Sequence, residues 1–436
     1  MMMGSTLLLV MPALVVSPLQ ATVTSETRPA RAPAAVTAGA SGVAHGGVSS
    51  GGVSCRAVSS GGVSVRGGAA VSATQGGGEG GPTVLGRDVV EDADAAVERG
   101  LRYLAASQNR DGAWEAFGRS HPAITALAAK CLVQDRRYGP THPASRRALA
   151  YVLRFVHPDG GIYQEDEGLR NYQTSVALMA LSAARDPTHA AVIRRARAFL
   201  QKLQWDEGEG HDPTSTWYGG QGYGRHKRPD LSNTQLMLEA LRQSGLPPDD
   251  PTYRKALRFV TRCQMLGETN DRPFARRGGD GGFIYSPVGD GESKAGTELV
   301  GGRRRLRSYG SMTYAGFKSM LYANVDRRDV RVRQALDWIR RHYTLDHNAN
   351  MPLAQSDEGL YYYYHVFARA LHAWGEPRIV DTAGTVHVWR DELCRKLVSL
   401  QQPDGSWVNE RDRWYEGNPH LVTAYAILAI QTALPD

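Results

Sequence analysis

The chain has 436 residues, enough for one large domain or two ordinary ones. Hydrophobic residues make up 42% of it and charged residues 22%, which is ordinary globular usage, and the uneven distribution of its 48 glycines excludes a collagen-like repeat. The net charge of +7 is carried by arginine, but the basic residues are scattered and accompany no nucleic-acid-binding motif, which argues against a nucleic-acid partner.

The amino-terminal segment differs in composition from the rest. Leu7–Val16 is an apolar run of the length found in signal peptides, too short to span a bilayer, and Ala21 follows at a suitable cleavage position. Residues 22–87 are rich in Ala, Gly, Ser and Val and carry too few large side chains to offset the entropy of ordering. We predict a signal peptide over residues 1–21, a low-complexity disordered linker over residues 22–87, and export to the periplasm or cell envelope. A cytoplasmic location stays open, because no Lys or Arg precedes the apolar run.

One pattern recurs from residue 88 to residue 436. An amphipathic helix leads to a Gly-rich turn with an aromatic residue, and a more apolar helix then follows, usually opening with Thr. The clearest copies are Arg99–Trp114 with Ile124–Leu132, and Arg395–Trp407 with Val422–Ile430. Four looser copies lie between them: Ala148–Tyr163 with Thr174–Leu181, Ala196–Gln204 with Asn233–Leu241, Ala256–Gln264 with Met312–Leu321, and Ala335–Tyr343 with Tyr361–Leu371.

The pattern predicts an all-α fold of six helical hairpins. The first helix of each pair has one polar face and belongs outside, whereas the second is apolar almost all round and belongs inside. An open stack would need polar caps at its terminal repeats, but the last helix, ending near Leu434, is as apolar as the others. We therefore expect closure into an (α/α)6 toroid.

Some motif residues have an architectural explanation. A Gln amide near a helix end satisfies backbone groups of the following turn, Gly permits the turn, and Trp packs between hairpins. We assign this structural role to Gln108, Gly112 and Trp114 in the first copy, and to Gln401, Gly405 and Trp407 in the last.

The segments RGLRYLAASQNRDGAW and RKLVSLQQPDGSW resemble the QW repeats of squalene-hopene and oxidosqualene cyclases. The whole pattern resembles the terpenoid cyclase and protein prenyltransferase β-subunit superfamily. This resemblance implies a toroid whose apolar central cavity holds an isoprenoid. Squalene-type cyclases have two helical barrels, whereas only one fits here, so the second cavity wall would be missing or supplied by a partner.

The resemblance also implies a candidate catalytic acid. In squalene-hopene cyclases a D-x-D-D-T motif begins an inner helix, and its middle Asp protonates the terminal alkene. The matching stretch here is PDLSNTQ, in which Asp230 keeps the first Asp position while Ser232 and Asn233 stand in the second and third. A Ser hydroxyl is too weak an acid for this step. Asp230 takes over only if burial raises its pKa.

We expect neither a metal nor another cofactor. The β-subunits of prenyltransferases bind zinc through an Asp, a nearby Cys and a distant His, but Asp391 and Cys394 lie on an outer helix and no Cys accompanies His420. The four cysteines lie too far apart in sequence for a zinc or dithiol motif.

The amino ends of parallel inner helices share one rim, where a ligand would meet polar and aromatic side chains. Besides Asp230, we expect these residues to bind the ligand: Tyr172, Tyr223, Asn233, Tyr309, Tyr362, Tyr363, His365 and His420. Aromatic faces stabilise cations, whereas helix capping is an equally good explanation of Asp230 and Asn233. Arg225, Lys227 and Arg304 lie in basic loops near the rim and are candidates for binding a phosphate group, or are solvated surface residues.

Three functions remain open. The first is a non-catalytic toroid that binds a hydrophobic small molecule in its cavity or a protein partner at its rim. The second is a divergent terpenoid cyclase that uses Asp230 as its acid, and the degraded acid motif weighs against it. The third is a prenyl-diphosphate-binding protein, and the missing zinc ligands weigh against transferase chemistry.

Overall fold

The computed structural model describes residues 85–224 and 227–435. The predicted signal peptide, nearly all of the predicted linker and the candidate phosphate ligand Arg225 lie outside the described residues. Within them, no helix is both long and apolar enough to cross a membrane.

The described residues form twelve α-helices, which alternate between an outer and an inner layer. The outer helices are α1 (Arg87–Ala106), α3 (Pro143–Leu153), α5 (Ala190–Lys202), α7 (Pro251–Cys263), α9 (Val330–Arg341) and α11 (Trp389–Ser399). The inner helices are α2 (Pro122–Gln134), α4 (Arg170–Ala184), α6 (Leu231–Gln243), α8 (Gly310–Tyr322), α10 (Leu360–Trp374) and α12 (Pro419–Ala433). Consecutive outer and inner helices form the six hairpins that the repeat predicts.

The two layers differ in burial as their sequences predict. In the outer helix α9, only the stripe that includes Val332, Leu336 and Ile339 is buried. In the inner helix α2, every residue from Pro122 to Val133 is buried. Burial of this apolar surface is the main stabilising contribution to such a double layer.

The inner helices form a closed ring, because α12 packs against α2 as well as α10. A side chain joins the last inner helix to the first: Nε2 of Gln431 donates to the carbonyl of Cys131 at 3.0 Å. The outer helix α1 also contacts α11 and α12. The fold is therefore the (α/α)6 toroid expected from the sequence.

A recurring glutamine joins neighbouring outer helices. Nε2 of Gln108 donates to the carbonyl of Gly112 at 2.9 Å, in its own turn, and to that of Ala144 at 3.0 Å, in the next outer helix. The same pair of bonds recurs from Gln204 to Gly219 and Thr252, from Gln264 to Gly281 and Arg331, and from Gln401 to Gly405 and Ala96.

The turn that follows is held by its aromatic residue and by the inner helix. Trp407 is fully buried, and its indole Nε1 donates to the carbonyl of Leu397 at 2.8 Å. Its backbone N–H donates to the hydroxyl of Thr423, at the start of α12, at 3.0 Å. Gly405 has φ +90°, and a Cβ there would lie 2.6 Å from the carbonyl oxygen of Arg99, so only glycine fits. Trp114 makes the equivalent bonds in the first copy.

In the described part of the chain, three short antiparallel β-hairpins lie in the connections between helices. They are formed by β1 (Glu115–Ala116) with β2 (Arg119–Ser120), β3 (Thr297–Val300) with β4 (Arg303–Leu306), and β5 (Ile379–Val380) with β6 (Val386–His387). The first two precede the inner helices α2 and α8, so they lie at the amino rim of the inner ring.

Candidate functional site

Six tyrosines surround a space on the amino-terminal side of the inner ring, and we call this space the tyrosine chamber. They are Tyr172, Tyr362 and Tyr425 from inner helices, and Tyr223, Tyr285 and Tyr309 from the segments before α6 and α8. The rings of Tyr362 and Tyr425 have centroids 6.1 Å apart, and the Tyr172 ring lies 6.4 Å from that of Tyr223. All but Tyr309 are only half-buried although protein encloses them, which indicates that their rings border a cavity.

Asp230 forms part of the wall of this chamber, at the N-cap of α6. Its Oδ1 accepts a hydrogen bond from the backbone N–H of Asn233 at 2.8 Å, and its Oδ2 accepts one from Nδ2 of the same residue at 2.8 Å. The Tyr285 hydroxyl also hydrogen-bonds to the carboxyl group. Burial raises the pKa of Asp230 to about 6, because the loss of solvation outweighs these hydrogen bonds.

A side-chain hydrogen bond links α6 and α10 across the chamber. Nε2 of Gln235 donates to the hydroxyl of Tyr362 at 3.0 Å, and the Tyr362 hydroxyl also interacts with the Ser232 side chain. Oε1 of Gln235 is buried and has no hydrogen-bond partner among the described residues. Since buried polar atoms are normally paired, this oxygen is an unsatisfied acceptor beside the chamber.

A charged group of side chains lies deeper on the same helix faces. We call it the floor cluster, and its members are Lys130 of α2, Glu239 of α6, Lys318 of α8, and His365 and Arg369 of α10. Glu239 forms an ion pair with Lys318 and another with Arg369, the latter with 2.7 Å between Oε1 and Nε. Burial works against the charge of Glu239, but the two cations outweigh it and hold its pKa well below the usual range.

The cations of the floor cluster also act on one another. Burial, and then the nearby charge of Arg369, lower the pKa of Lys130 to about 8. Burial lowers the pKa of His365 to about 3, so its imidazole is neutral at physiological pH. The ring stacks on Tyr425 with centroids 5.5 Å apart, and its Nδ1 has no partner among the described residues.

The structure brings together most of the predicted ligand-binding residues. Tyr172, Tyr223, Tyr309 and Tyr362 line the chamber, with Asn233 bonded to Asp230 in its wall. His365 lies in the floor cluster, below the rim where the sequence places it.

Two predicted residues lie elsewhere. Tyr363 is fully buried between the helix layers, where its hydroxyl donates to the carbonyl of Thr344 at 2.7 Å. One residue along an α-helix is a turn of about 100°, so Tyr362 and Tyr363 cannot both face the chamber. His420 lies near Tyr103 of the outer helix α1, with ring centroids 6.0 Å apart.

The candidate phosphate ligands do not gather in the described part of the chain. Lys227 is exposed, and so is Arg304, which lies in strand β4. The next basic residue of the loop, Arg228, forms an ion pair with Glu292. These positions agree with the alternative explanation, solvated loop residues paired with nearby acids.

The cavity is less apolar than the sequence analysis expects. Lys130 and Lys318 each stand alone as a charged residue in an inner helix of otherwise largely uncharged residues, and that isolation was the available signal, whereas Glu239 lies in the more polar helix α6. Tyr285, Gln235 and Tyr425 carried no comparable signal.

Glu416 is a further residue that the sequence analysis did not identify. Its carboxylate accepts hydrogen bonds from the backbone N–H groups of Tyr361 at 3.2 Å and Tyr362 at 2.7 Å, and one from Nδ2 of Asn409 at 2.7 Å. It therefore caps α10 and positions Tyr362. Burial raises the pKa of Glu416 to about 7 in spite of these bonds. Across the described residues, no three His, Cys, Asp or Glu side chains are grouped so as to hold a metal ion.

Comparison with known proteins found relatives for parts of the chain, although no family model matches it. The chain is 48% identical over 68 residues to the drimenyl diphosphate synthase of Streptomyces showdoensis, a match of 15% of this chain and 13% of that protein. It is 29% identical over 192 residues to a probable squalene–hopene cyclase of Sinorhizobium fredii, or 39% of this chain and 29% of that protein. The chain thus spans less than a third of the length of these curated relatives.

Solved structures share the fold over most of this chain. The type II terpene cyclase MstE from Scytonema, without ligand, superposes with a TM-score of 0.50 at 15% identity, covering 79% of this chain and 98% of that one. A variant of the same cyclase in complex with the product merosterolic acid A also gives a TM-score of 0.50, at 13% identity and the same coverage. At such identity the likeness establishes the fold alone.

Proposed function

We propose that this chain, which belongs to the terpenoid cyclase-like superfamily, binds an isoprenoid-like ligand in the tyrosine chamber and that Asp230 transfers a proton to it. The observation that carries this proposal is the placement of Asp230. Its carboxyl group is buried in the wall of an aromatic cavity, and its pKa of about 6 is near the pH at which an enzyme would use it.

The proposed step begins with the protonated carboxyl group of Asp230. Its proton moves to one carbon of an alkene, a C–H bond forms, and positive charge develops on the neighbouring carbon. Asn233 and Tyr285 hydrogen-bond to the carboxylate that remains, and such bonds strengthen as the negative charge grows. The tyrosine faces stabilise the cation and a second alkene attacks it to close a ring. The cyclised cation then loses a proton, which returns to the Asp230 carboxylate directly or through solvent, so the acid is regenerated and the net reaction is an isomerisation.

The names of the relatives support this reaction class. Squalene–hopene cyclases and type II terpene cyclases are the proteins that the chain resembles in sequence and in fold. One difference is instructive: Asp230 occupies the first Asp position of the family motif, and Ser232 occupies that of the acid. The raised pKa of Asp230 supports its taking the place of that acid, because a larger fraction of the carboxyl group then carries a proton. Because the chain spans less than a third of the curated relatives, we propose the ligand class and not their substrates.

The second candidate function is binding without turnover. Both oxygens of Asp230 accept hydrogen bonds from Asn233, as expected of an N-cap residue that stabilises α6. In that case the tyrosine chamber holds the same class of ligand but Asp230 transfers no proton.

Mass spectrometry of the lipids that co-purify with the protein tests the proposal. We expect an isoprenoid with the wild type, its cyclised isomer after incubation, and only the uncyclised compound with Asp230→Asn. Asn also caps helices, so this variant is expected to fold. Unchanged ligand in both proteins would favour binding without turnover, and no isoprenoid in either protein would overturn both candidates. The exposed-site variant Glu410→Gln is the matched control for removing one carboxylate.

A further inference from the structure

The floor cluster contains more positive than negative charge. Lys130, Lys318 and Arg369 are cationic side chains, and the carboxylate of Glu239 acts on both Lys130 and Lys318. Lys130 is 6% exposed and Lys318 is fully buried. Buried charges are normally paired or neutralised, because their desolvation costs several kcal/mol.

Lys130 is the cation without a carboxylate partner. The two oxygens of Glu239 are taken by Lys318 on one side and by Arg369 and Gln243 on the other. Nζ of Lys130 donates instead to the amide oxygen of Gln134 at 2.5 Å. An ammonium group has three donors, so this neutral contact leaves Lys130 able to bind an anion.

The floor cluster is continuous with the tyrosine chamber. Tyr362, His365 and Arg369 follow one another at spacings of three and four residues, which places them on one face of α10. His365 of the floor cluster also stacks on Tyr425 of the chamber, and its Nδ1 has no partner among the described residues. Along α6, Asp230 precedes Glu239 by nine residues, or about 13 Å at 1.5 Å per residue.

We propose that the floor cluster binds the anionic end, a carboxylate or a phosphate, of an amphipathic ligand whose apolar chain lies in the tyrosine chamber. The identity of the chain rests on the proposed function, whereas the anion site rests on the charges of the cluster. Lys130 and Arg369 contact the oxyanion, and the far end of the chain lies beside Asp230. The ligand is therefore an isoprenoid acid or phosphate and not a neutral hydrocarbon.

Titration calorimetry with four probes tests this inference. The probes are a fifteen-carbon isoprenoid carboxylic acid, the monophosphate and the alcohol of the same chain, and inorganic phosphate. We expect the wild type to bind the acid or the monophosphate at least about tenfold more tightly than the alcohol, as one charge-assisted hydrogen bond suffices for this difference. Whichever of the two binds more tightly identifies the head group.

Variants at Lys130 show where the anion binds. Lys130→Gln should abolish the preference for the anionic probe and leave the affinity for the alcohol unchanged, while Lys130→Arg should keep the preference. The matched control is Arg136→Gln, since Arg136 is an exposed cation two residues beyond the end of α2. Thermal unfolding of each variant establishes that it folds.

The outcomes separate this inference from the proposed function. Equal affinity of the wild type for all three chain compounds, or an equal loss for acid and alcohol in Lys130→Gln, would overturn the anion site and leave the chamber as a ligand site. If no chain compound binds, but inorganic phosphate stabilises the wild type and not Lys130→Gln, the anion site stands and the proposed function fails. If no probe binds, both are overturned.

Discussion

Nε of Arg369 donates a hydrogen bond to Oε1 of Glu239 at 2.7 Å, although α10 and α6 are not neighbours in the inner ring. Between them stands α8, which contributes Lys318 to the same carboxylate. The bond therefore crosses the interior of the toroid. Since Lys130 comes from the opposite side of the ring, the floor cluster joins four of the six inner helices through charge.

The pH dependence of stability tests the burial of Asp230. A carboxyl group whose folded pKa of about 6 lies above its ordinary value of 3.8 stabilises the fold at low pH and loses that contribution as pH rises toward 6. We expect Asp230→Asn to gain about 2 kcal/mol in unfolding free energy relative to the wild type between pH 4 and pH 7, at 1.36 kcal/mol per pKa unit, because the carboxyl group of the unfolded chain is already partly ionised at pH 4. Urea denaturation at both pH values measures this. A constant difference between the two proteins would show that the carboxyl group is solvated.

Removal of the buried carboxylate tests the floor cluster. Glu239→Gln leaves Lys318 and Arg369 without their anion, and we expect it to lower the unfolding free energy by about 3–5 kcal/mol at pH 7. Adding Lys318→Met should restore part of the loss, because the uncompensated charge is reduced. Urea denaturation measures each value, with the exposed Glu91→Gln as control. Losses that simply add would contradict the direct pairing.

The two adjacent tyrosines of α10 provide a matched pair for the chamber. Tyr362→Phe and Tyr363→Phe each remove one buried hydroxyl with a hydrogen-bond partner, and each should cost about 1 kcal/mol of stability. Only Tyr362 faces the chamber, so only Tyr362→Phe should weaken the binding of an isoprenoid alcohol, by about fivefold to tenfold. Titration calorimetry measures the affinity of both variants for the alcohol. Equal affinities would show that Tyr362 does not contact the ligand.

We expect the glutamines at the ends of outer helices to stabilise the fold and not to bind the ligand. Gln264 is fully buried and bonds two backbone carbonyls, those of Gly281 and Arg331. Because Gln264→Ala removes two buried hydrogen bonds and leaves the Gly281 carbonyl without this donor, we expect a loss of about 2–3 kcal/mol in urea denaturation, with ligand affinity retained. The exposed Gln402→Ala is the control and should change stability by less than about 0.5 kcal/mol. A large effect on ligand affinity in folded Gln264→Ala would contradict this role.

The helical hairpins are predictable from the sequence because each one is specified by the residues of its own segment. The spacing of apolar residues within one helix decides which face is buried, and the second helix of each pair is apolar enough to be recognised as inner. The Thr that opens most inner helices was also visible, and Thr125 shows its role, since its hydroxyl accepts the backbone N–H of Trp114 at 3.1 Å. The amino rim was likewise predictable, because hairpin alternation makes the inner helices parallel.

The site depended on contacts between distant segments. The pKa of Asp230 is set by burial, and Tyr285 and Tyr309, which act on it or enclose it, lie more than fifty residues further along the chain. The sequence pattern predicted the same ligand-binding role for Tyr362 and Tyr363. Only the orientation of α10 in the ring shows that Tyr362 faces the chamber and Tyr363 lies in the core.

From sequence alone, the number of hairpins and their layers followed, because periodic burial is a property of the chain itself. Tertiary structure alone decided the chemistry of the interior. In the sequence, each of four inner helices contains one of these charged residues: Lys130, Glu239, Lys318 and Arg369. They form one group only when the ring closes. Electrostatic interaction depends on distance and on burial, and neither is determined by sequence position.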